Sequence, residues 1–401
     1  MSSPSRGASR TAIAAIGVVL AFAVTSNGLA AWLQQAAPAT AARIAPGNAD
    51  IATAAARSRL IAPADIEEPA VRAFIETALA RDVTLPAAIE LRASQVEASG
   101  DKARAARMFA LSNAISRRSL PTRLWLIQRS VDRGDVAGAL ANFDIALRTS
   151  EVAPEILFPV LAGATSDPAL TGPIARMLDR PSDWRIMFLN HAIDEGGNPA
   201  DIGRIILEMR DRGALSDNQV DQKLVAALVA DAEFELARRV HDAYHPTVRN
   251  RPLVADPDFS RPGQSFPFGW GLGTDGEAWA ARDLVDGRPA LLYRSTSSGE
   301  GPVATQLLLL PAGQYRIAAK SAGATTDPAS PPFWTLTCGE RNGRQIALLD
   351  QPVQSGRLAS TDFTVPAGCA GQWLALNLRP SEQAGGQSGA IAGVSVIPEP
   401  R

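Results

Sequence analysis

Aromatic side chains are the residues of this sequence best suited to recognition chemistry. The chain has seven tryptophans, and four of them lie between residues 270 and 373. The apolar C–H faces of a sugar ring pack on aromatic rings, while planar polar side chains bind its hydroxyl groups. The candidate glycan-binding residues are therefore Trp279, Tyr293, Trp334 and Trp373, with Arg282 and Asp283 as polar companions. The alternative is that these tryptophans fill a core, and Trp279 is the one expected to be most exposed.

Catalytic and metal-binding patterns are weak in comparison. A glycosidase needs two carboxylates beside the bond it cleaves, and Asp275, Glu277 and Asp283 are candidates only in the sense that any acidic loop supplies them. His241 and His245 have the i, i+4 spacing of metal ligands, but no third ligand is in view. The G-x-S-x-G, H-E-x-x-H and P-loop motifs are absent from the sequence. We therefore predict a protein that is not an enzyme and has no cofactor and no metal site.

The two cysteines, Cys338 and Cys369, both lie in the C-terminal part of the chain. An even pair in one exported domain predicts a disulfide, with two buried free thiols as the alternative. Two cysteines alone cannot form a structural zinc site of the usual four ligands.

The N-terminus has the pattern of a membrane anchor. Residues 1–10 carry two arginines and no acid, and residues 11–33 carry no charge. A helix of that length reaches about 34 Å, enough for a bilayer core of about 30 Å. We predict a cytoplasmic tail (1–10) and a transmembrane anchor (11–33) in a bacterial inner membrane, with the bulk of the chain in the periplasm. A cleaved signal peptide and a buried helix are the alternatives.

The composition and the spacing of apolar residues change twice along the rest of the chain. Residues 34–64 are rich in alanine and proline, which predicts a linker, in part helical. Residues 65–247 have apolar side chains at helical spacing, with Gly and Pro between the segments. From residue 248 to 401, short β-rich segments alternate with turns, which predicts an antiparallel β-sandwich. The net charge of −2 leaves no basic excess for nucleic acid.

An internal repeat lies in the helical part. GDKARAARMFALSNAIS begins at residue 100, and GDVAGALANFDIALRTS begins 34 residues later, at residue 134. This interval and pattern resemble the tetratricopeptide repeat. The resemblance implies stacked antiparallel helix pairs that bind protein. The positions expected to pack these helices are Ala105, Phe109, Trp125, Ala139, Phe143 and Ala146.

The C-terminal part resembles the galactose-binding-like jelly rolls, which include many carbohydrate-binding modules. The residues that match are Asp258, Phe259 and Trp270 in the opening segment, Gly313 and Tyr315 in a hairpin, and the closing strand AIAGVSVIP. The resemblance implies glycan binding. Ser260 and Gly393 stand where the family often has acids that hold a structural calcium ion, so whether calcium binds is left open.

Together these observations predict an α-helical array followed by a β-sandwich jelly roll. The expected function is that of a non-catalytic scaffold in the biosynthesis, export or anchoring of surface polysaccharide. The array would bind envelope proteins, and the sandwich would bind glycan. The alternatives are an adaptor that binds only proteins and a carbohydrate-active enzyme.

Overall fold

The computed structural model describes residues 25, 28–210, 219–245, 252–261, 265–274, 276–339 and 343–399. Helices come first along the chain and strands follow. The chain forms two compact units that divide between Leu157 and Phe158. The described part of the first unit is helical, whereas the second unit contains further helices and all of the described strands.

The helices of the first unit are short, and neighbours along the chain pack in pairs. They are α1 (residues 28–36), α2 (Pro38–Ile44), α3 (Ala49–Arg57), α4 (Pro69–Arg81), α5 (Pro86–Ala98), α6 (Lys102–Ile115), α7 (Leu120–Asp132) and α8 (Val136–Thr149). The next helix, α9 (Ala153–Ala164), contains the division between the two units.

The repeat seen in the sequence is also a repeat of structure. The pair α5–α6 and the pair α7–α8 begin and end at matching positions. Both turns use a glycine in the left-handed region, Gly100 at φ +94° and Gly134 at φ +68°. The carboxylates of Asp101 and Asp135 then cap the second helix of each pair by accepting a backbone N–H. Membership of the tetratricopeptide family stays a prediction.

The predicted packing positions lie between these helices. Ala105, Phe109, Ala139, Phe143 and Ala146 are buried. The rings of Phe109 and Trp125 stack with their centroids 4.5 Å apart. Trp125 is half-buried, and its indole Nε1 donates to the carboxylate of Glu97.

A buried carboxylate joins four helices of the first unit. Glu90 of α5 is 2% exposed and accepts hydrogen bonds from Ser112 Oγ of α6 (2.8 Å) and Thr122 Oγ1 of α7 (3.1 Å). Its second oxygen lies 3.3 Å from the Arg57 guanidinium of α3. Hydrogen bonds from several helices satisfy this buried charge, so it fixes how the helices meet.

Replacing Glu90 by alanine is expected to lower the free energy of unfolding by about 1–3 kcal/mol, because the buried hydroxyls of Ser112 and Thr122 lose their common acceptor. Urea denaturation followed by circular dichroism at 222 nm measures the change. Glu76→Ala is the matched control, since Glu76 is exposed on α4 and its loss should change stability by less than about 0.5 kcal/mol. Equal stabilities for the two variants would contradict the structural role of Glu90.

The segment predicted as a linker is instead part of the helical packing. Residues 34–64 include α2 and α3, and their alanines allow close helix contacts. Ala41, Ala42, Ala45 and Ile51 form one buried cluster with Ala30 of α1. An alanine-rich composition therefore serves tight packing here, and not flexibility.

The predicted membrane anchor needs a correction. Residues 1–24, 26 and 27, which include most of the predicted anchor, lie outside the described residues. Within the described ranges, no helix is long and apolar enough to cross a bilayer. Ala30, inside the predicted anchor, is fully buried against protein. The prediction of a single-pass inner-membrane protein with its bulk in the periplasm is therefore wrong on the described part of the chain.

After α9, the described residues of the second unit contain five more α-helices. They are α10 (Thr171–Leu178), α11 (Trp184–His191), α12 (Pro199–Glu208), α13 (Val220–Ala230) and α14 (Phe234–Tyr244), with a π-helical turn at Ala192–Gly196. The strands seen in the described part of the chain are β1 (Gly271–Leu272), β2 (Ala278–Val285), β3 (Arg288–Ser295), β4 (Gly301–Leu308), β5 (Gly313–Ser321), β6 (Phe333–Cys338), β7 (Arg344–Asp350), β8 (Leu358–Val365), β9 (Gln372–Leu378) and β10 (Gln387–Pro398).

The strands form two antiparallel five-stranded sheets. Sheet A has the order β1-β4-β9-β6-β7, and sheet B has the order β2-β3-β10-β5-β8. Their inner faces enclose one apolar core that includes Trp270, Leu291, Ile317, Trp334 and Leu374. The predicted order of helices followed by an antiparallel β-sandwich is confirmed.

The predicted disulfide is also confirmed. Cys338, at the end of β6, is bonded to Cys369, which precedes β9. The bond links two segments of sheet A that lie 31 residues apart in the sequence.

Candidate functional site

A cleft of about 840 Å³ lies in the second unit, between helices and one end of sheet A. Its helical wall comes from α11, α13 and α14 and the residues next to them. Its other wall comes from the segment before β1, the loop after β6 and the start of β9. The residues that carry the argument below are Asn190, Gln222, Lys223, Phe234, Phe266 and Trp373.

Phe266, 42% exposed, and Trp373, 6% exposed, form the aromatic wall of the cleft. Strand alternation turns Gln372 and Leu374 into the sandwich, and it turns Trp373, which lies between them, to the outer face of sheet A. Its ring stacks on Phe266, with centroids 5.8 Å apart and planes inclined by 29°. Phe234, the first residue of α14, closes in on Gly371, where a Cβ would lie 2.9 Å from the phenyl ring. A glycine is therefore needed at residue 371 for this approach.

A buried amide fixes the position of Trp373. Gln372 Oε1 accepts from the backbone N–H of Leu310 at 2.7 Å, and its Nε2 donates to the backbone carbonyl of Cys369 at 2.6 Å. These bonds tie the start of β9 to the end of β4 and to the disulfide loop. Gln372 is thereby anchored to the backbone of Leu310 and of Cys369, and this anchoring holds the neighbouring Trp373 in place.

The helical wall of the cleft combines apolar side chains (Ala226, Val229, Ala230 and Ala232) with a polar group at one end. Lys223 Nζ lies 2.6 Å from Asp194 Oδ2 and 3.1 Å from Asn190 Oδ1. The amides of Gln219 and Gln222 lie on the same wall. Among the described residues that line the cleft, none is a carboxylate. The cleft thus offers neutral donors and acceptors and one ion-paired cation against an aromatic surface.

Two of the predicted glycan-binding residues lie in the core. Trp334 is fully buried, and Tyr293 lies in the same core on β3. The indole Nε1 of Trp334 donates to Gln351 Oε1 at 2.8 Å, and burial raises the pKa of the Tyr293 hydroxyl. Since both side chains point between the sheets, neither can form part of an exposed platform, and this corrects the prediction.

Three others lie on β2, at the edge of sheet B. Trp279 is half-buried, Asp283 is exposed, and the Arg282 guanidinium lies 3.3 Å from Asp256. Trp373 belongs to sheet A. The six predicted residues are therefore not brought together, and of these six only Trp373 lines the cleft.

Sequence reasoning did not find the helical wall of the cleft. Lys223 and Gln222 precede Trp373 by about 150 residues, and nothing in their local pattern differs from an ordinary polar helix face. Of the acids considered for catalysis, Asp275 lies outside the described residues. Glu277 accepts a hydrogen bond from Ser298 Oγ at 2.8 Å.

No protein-family model matches the chain, and no curated protein matches it. Among solved structures, a CBM4 carbohydrate-binding module is similar over 36% of this chain and 99% of its own, with 13% identity and a TM-score of 0.26. The CBM22-1 xylan-binding domain of Paenibacillus barcinonensis Xyn10C is similar over 38% of this chain and 97% of its own, with 11% identity and a TM-score of 0.25.

A third similar structure is the enzymatically active domain of bacteriophage CBA120 tailspike protein 4, with 17% identity and a TM-score of 0.23. The similarity covers 32% of this chain and 19% of the tailspike chain. Because all three similarities are this low, any function of the chain has to be argued from its own cleft.

Proposed function

We propose that the protein is a non-catalytic glycan-binding protein that serves in the biosynthesis, export or anchoring of surface polysaccharide. The cleft would hold a sugar residue against Trp373 and Phe266, with the amides of Asn190, Gln219 and Gln222 bound to its hydroxyls. The observation that carries the proposal is that aromatic rings and three amide side chains line the same cleft. Such a combination suits a ligand with apolar faces and a polar rim.

The chemistry of the lining supports binding without catalysis. Hydrolysis of a glycosidic bond requires a carboxylic acid and a carboxylate on opposite sides of the bond. The described lining of the cleft supplies neither group, and Asp194 is engaged by Lys223. A bound sugar would therefore be held and released unchanged.

The helical repeats of the first unit would bind protein in the same proposal. Stacked helix pairs present extended surfaces. Leu111 and Ile115, one turn apart on α6, are both exposed. An adaptor that binds only protein would use this surface alone, so the glycan test below separates the two functions.

Trp373→Ala is expected to weaken glycan binding by about tenfold or more, because the exposed ring of Phe266 loses the indole on which it stacks. The measurement is affinity electrophoresis and calorimetry of the full chain against a panel of soluble bacterial polysaccharides and xylan oligosaccharides. Gln222→Ala, on the other wall of the cleft, should also weaken binding without touching the sandwich core.

Trp279→Ala is the matched control, because Trp279 lies on the other sheet and its loss should leave the affinity unchanged. If Trp279→Ala weakens binding and Trp373→Ala does not, the site is on sheet B and the cleft proposal fails. If the folded wild-type chain binds none of these glycans at millimolar concentration, the glycan proposal fails and the protein adaptor replaces it.

A further inference from the structure

The chemistry of the cleft changes along helix α13. The residues of this helix that line the cleft are Gln222 and Lys223 in its first turn, followed by Ala226, Val229 and Ala230. Their spacing of three and four residues places them on one face of the helix. From Gln222 to Ala230 the helix rises about 12 Å. The cleft therefore has a polar half at the start of α13 and an apolar half at its end.

The apolar half of the cleft is lined by small side chains. Ala226 and Ala230 are exposed, and Val229 is half-buried. The exposed ring of Phe266, which stacks on Trp373, lines the same cleft. A sugar hydroxyl placed against the alanines and the valine would lose water without gaining a hydrogen bond, which costs free energy. A ligand that fills this half of the cleft therefore needs a small apolar group.

The polar half of the cleft offers carboxamides. The side chains of Gln219 and Gln222 are exposed, and Asn190 lies beside Lys223, whose Nζ donates to Asn190 Oδ1 at 3.1 Å. A carboxamide both donates and accepts, so it can pair with the N–H and the C=O of an amide in a ligand. The Lys223 ammonium lies 2.6 Å from the Asp194 carboxylate, which balances its charge. This half of the cleft therefore suits a neutral ligand with an amide group.

We propose that the cleft selects a sugar that carries an N-acetyl group, as in a 2-acetamido-2-deoxyhexose. The acetyl methyl group would lie against Ala226 and Ala230. Gln222, one turn before Ala226, would bind the N–H and the C=O of the acetamido group, and Asn190 and Gln219 would bind hydroxyls. An O-acetyl group has no N–H to donate, and a plain hexose lacks the methyl group as well. This inference rests on the proposed glycan binding and adds the class of sugar.

Two matched pairs of ligands test this preference on the full-length protein. Tri-N-acetylchitotriose is compared with cellotriose, and methyl N-acetylgalactosaminide is compared with methyl galactoside, since the members of each pair differ only at C2. In at least one pair, the N-acetylated member should bind about tenfold more tightly, because its methyl group leaves water and its amide gains partners. In saturation-transfer NMR, the acetyl methyl protons should receive the strongest saturation, since they lie against the protein.

Ala226→Leu is the diagnostic variant. The longer side chain would occupy the apolar half of the cleft, and leucine is nearly as favourable in a helix as alanine, so α13 should stay folded. The ratio of the two affinities should fall from about tenfold to about one. Ala243→Leu, at an exposed position of α14 outside the described lining of the cleft, is the matched control and should keep the preference.

The outcomes separate this inference from glycan binding as such. Equal affinity for both members of each pair would overturn the N-acetyl preference and leave glycan binding in place. Binding of a polysaccharide from the panel above, but of none of these four ligands, would do the same. A preference that survives in Ala226→Leu would also overturn the inference, since the methyl group would then lie elsewhere. If the chain binds no glycan at all, the inference and the proposed function fail together.

Discussion

Replacing Trp334 by alanine is expected to lower the free energy of unfolding of the second unit by about 3–5 kcal/mol. The indole is fully buried in the core of the sandwich, and its ring lies 5.8 Å from that of Trp270. Alanine would leave a large cavity between the two sheets. It would also leave Gln351 Oε1 without its donor in a buried position, which adds to the loss.

Guanidinium denaturation followed by circular dichroism of the β-sheet signal measures this effect. Trp279→Ala serves as the comparison, since the half-buried indole on the edge strand β2 should cost much less. If the two variants were equally stable, Trp334 would have to be a surface residue. That result would restore the aromatic platform predicted from the sequence.

Removal of the disulfide is expected to cost about 3–4 kcal/mol in the loop-entropy model, for a loop of 31 residues. The bond closes the segment that contains β7 and β8, and without it the unfolded chain gains many conformations. Replacing both Cys338 and Cys369 by alanine should shift the guanidinium midpoint of the second unit to lower concentration. Reduction of the wild-type protein should produce a similar shift.

The reductant itself is controlled by the double-alanine variant, whose midpoint should not respond to it. A wild-type midpoint that is the same with and without reductant, with thiol labelling showing the bond to be open, would contradict this prediction. The bond forms only in an oxidising environment, so protein made in a reducing cytosol should begin at the lower midpoint.

Local periodicity explains which parts of the fold were predictable. The 34-residue interval between Gly100 and Gly134 predicts the turns, the caps and the helix packing, because each depends on residues close together in sequence. The sandwich follows in the same way from short β-rich segments separated by turns. The linker was misjudged because alanine suits both flexible segments and close helix packing, and Ala41 and Ala45 take the second role.

The residues of the cleft could not be predicted from local sequence patterns, because they come together only in the folded chain. Strand alternation places Trp334 and Trp373 on alternate faces, but it does not say which face is the core. Trp334 is fully buried between the sheets, whereas Trp373 is 6% exposed on the outer face of sheet A near α14. Likewise, Asp221 meets His245 only because α13 packs against α14, and the spacing of the two residues in the sequence does not reveal this contact.

The contact of α14 with the sandwich ties this helix to the β-domain. Phe234 and His241 of α14 lie against Gly371 and Phe268. Phe234 is 5% exposed, so a chain truncated after α14 would lose part of the packing that buries this ring. Substitutions on the surface of the sandwich that faces α14 must therefore preserve these contacts.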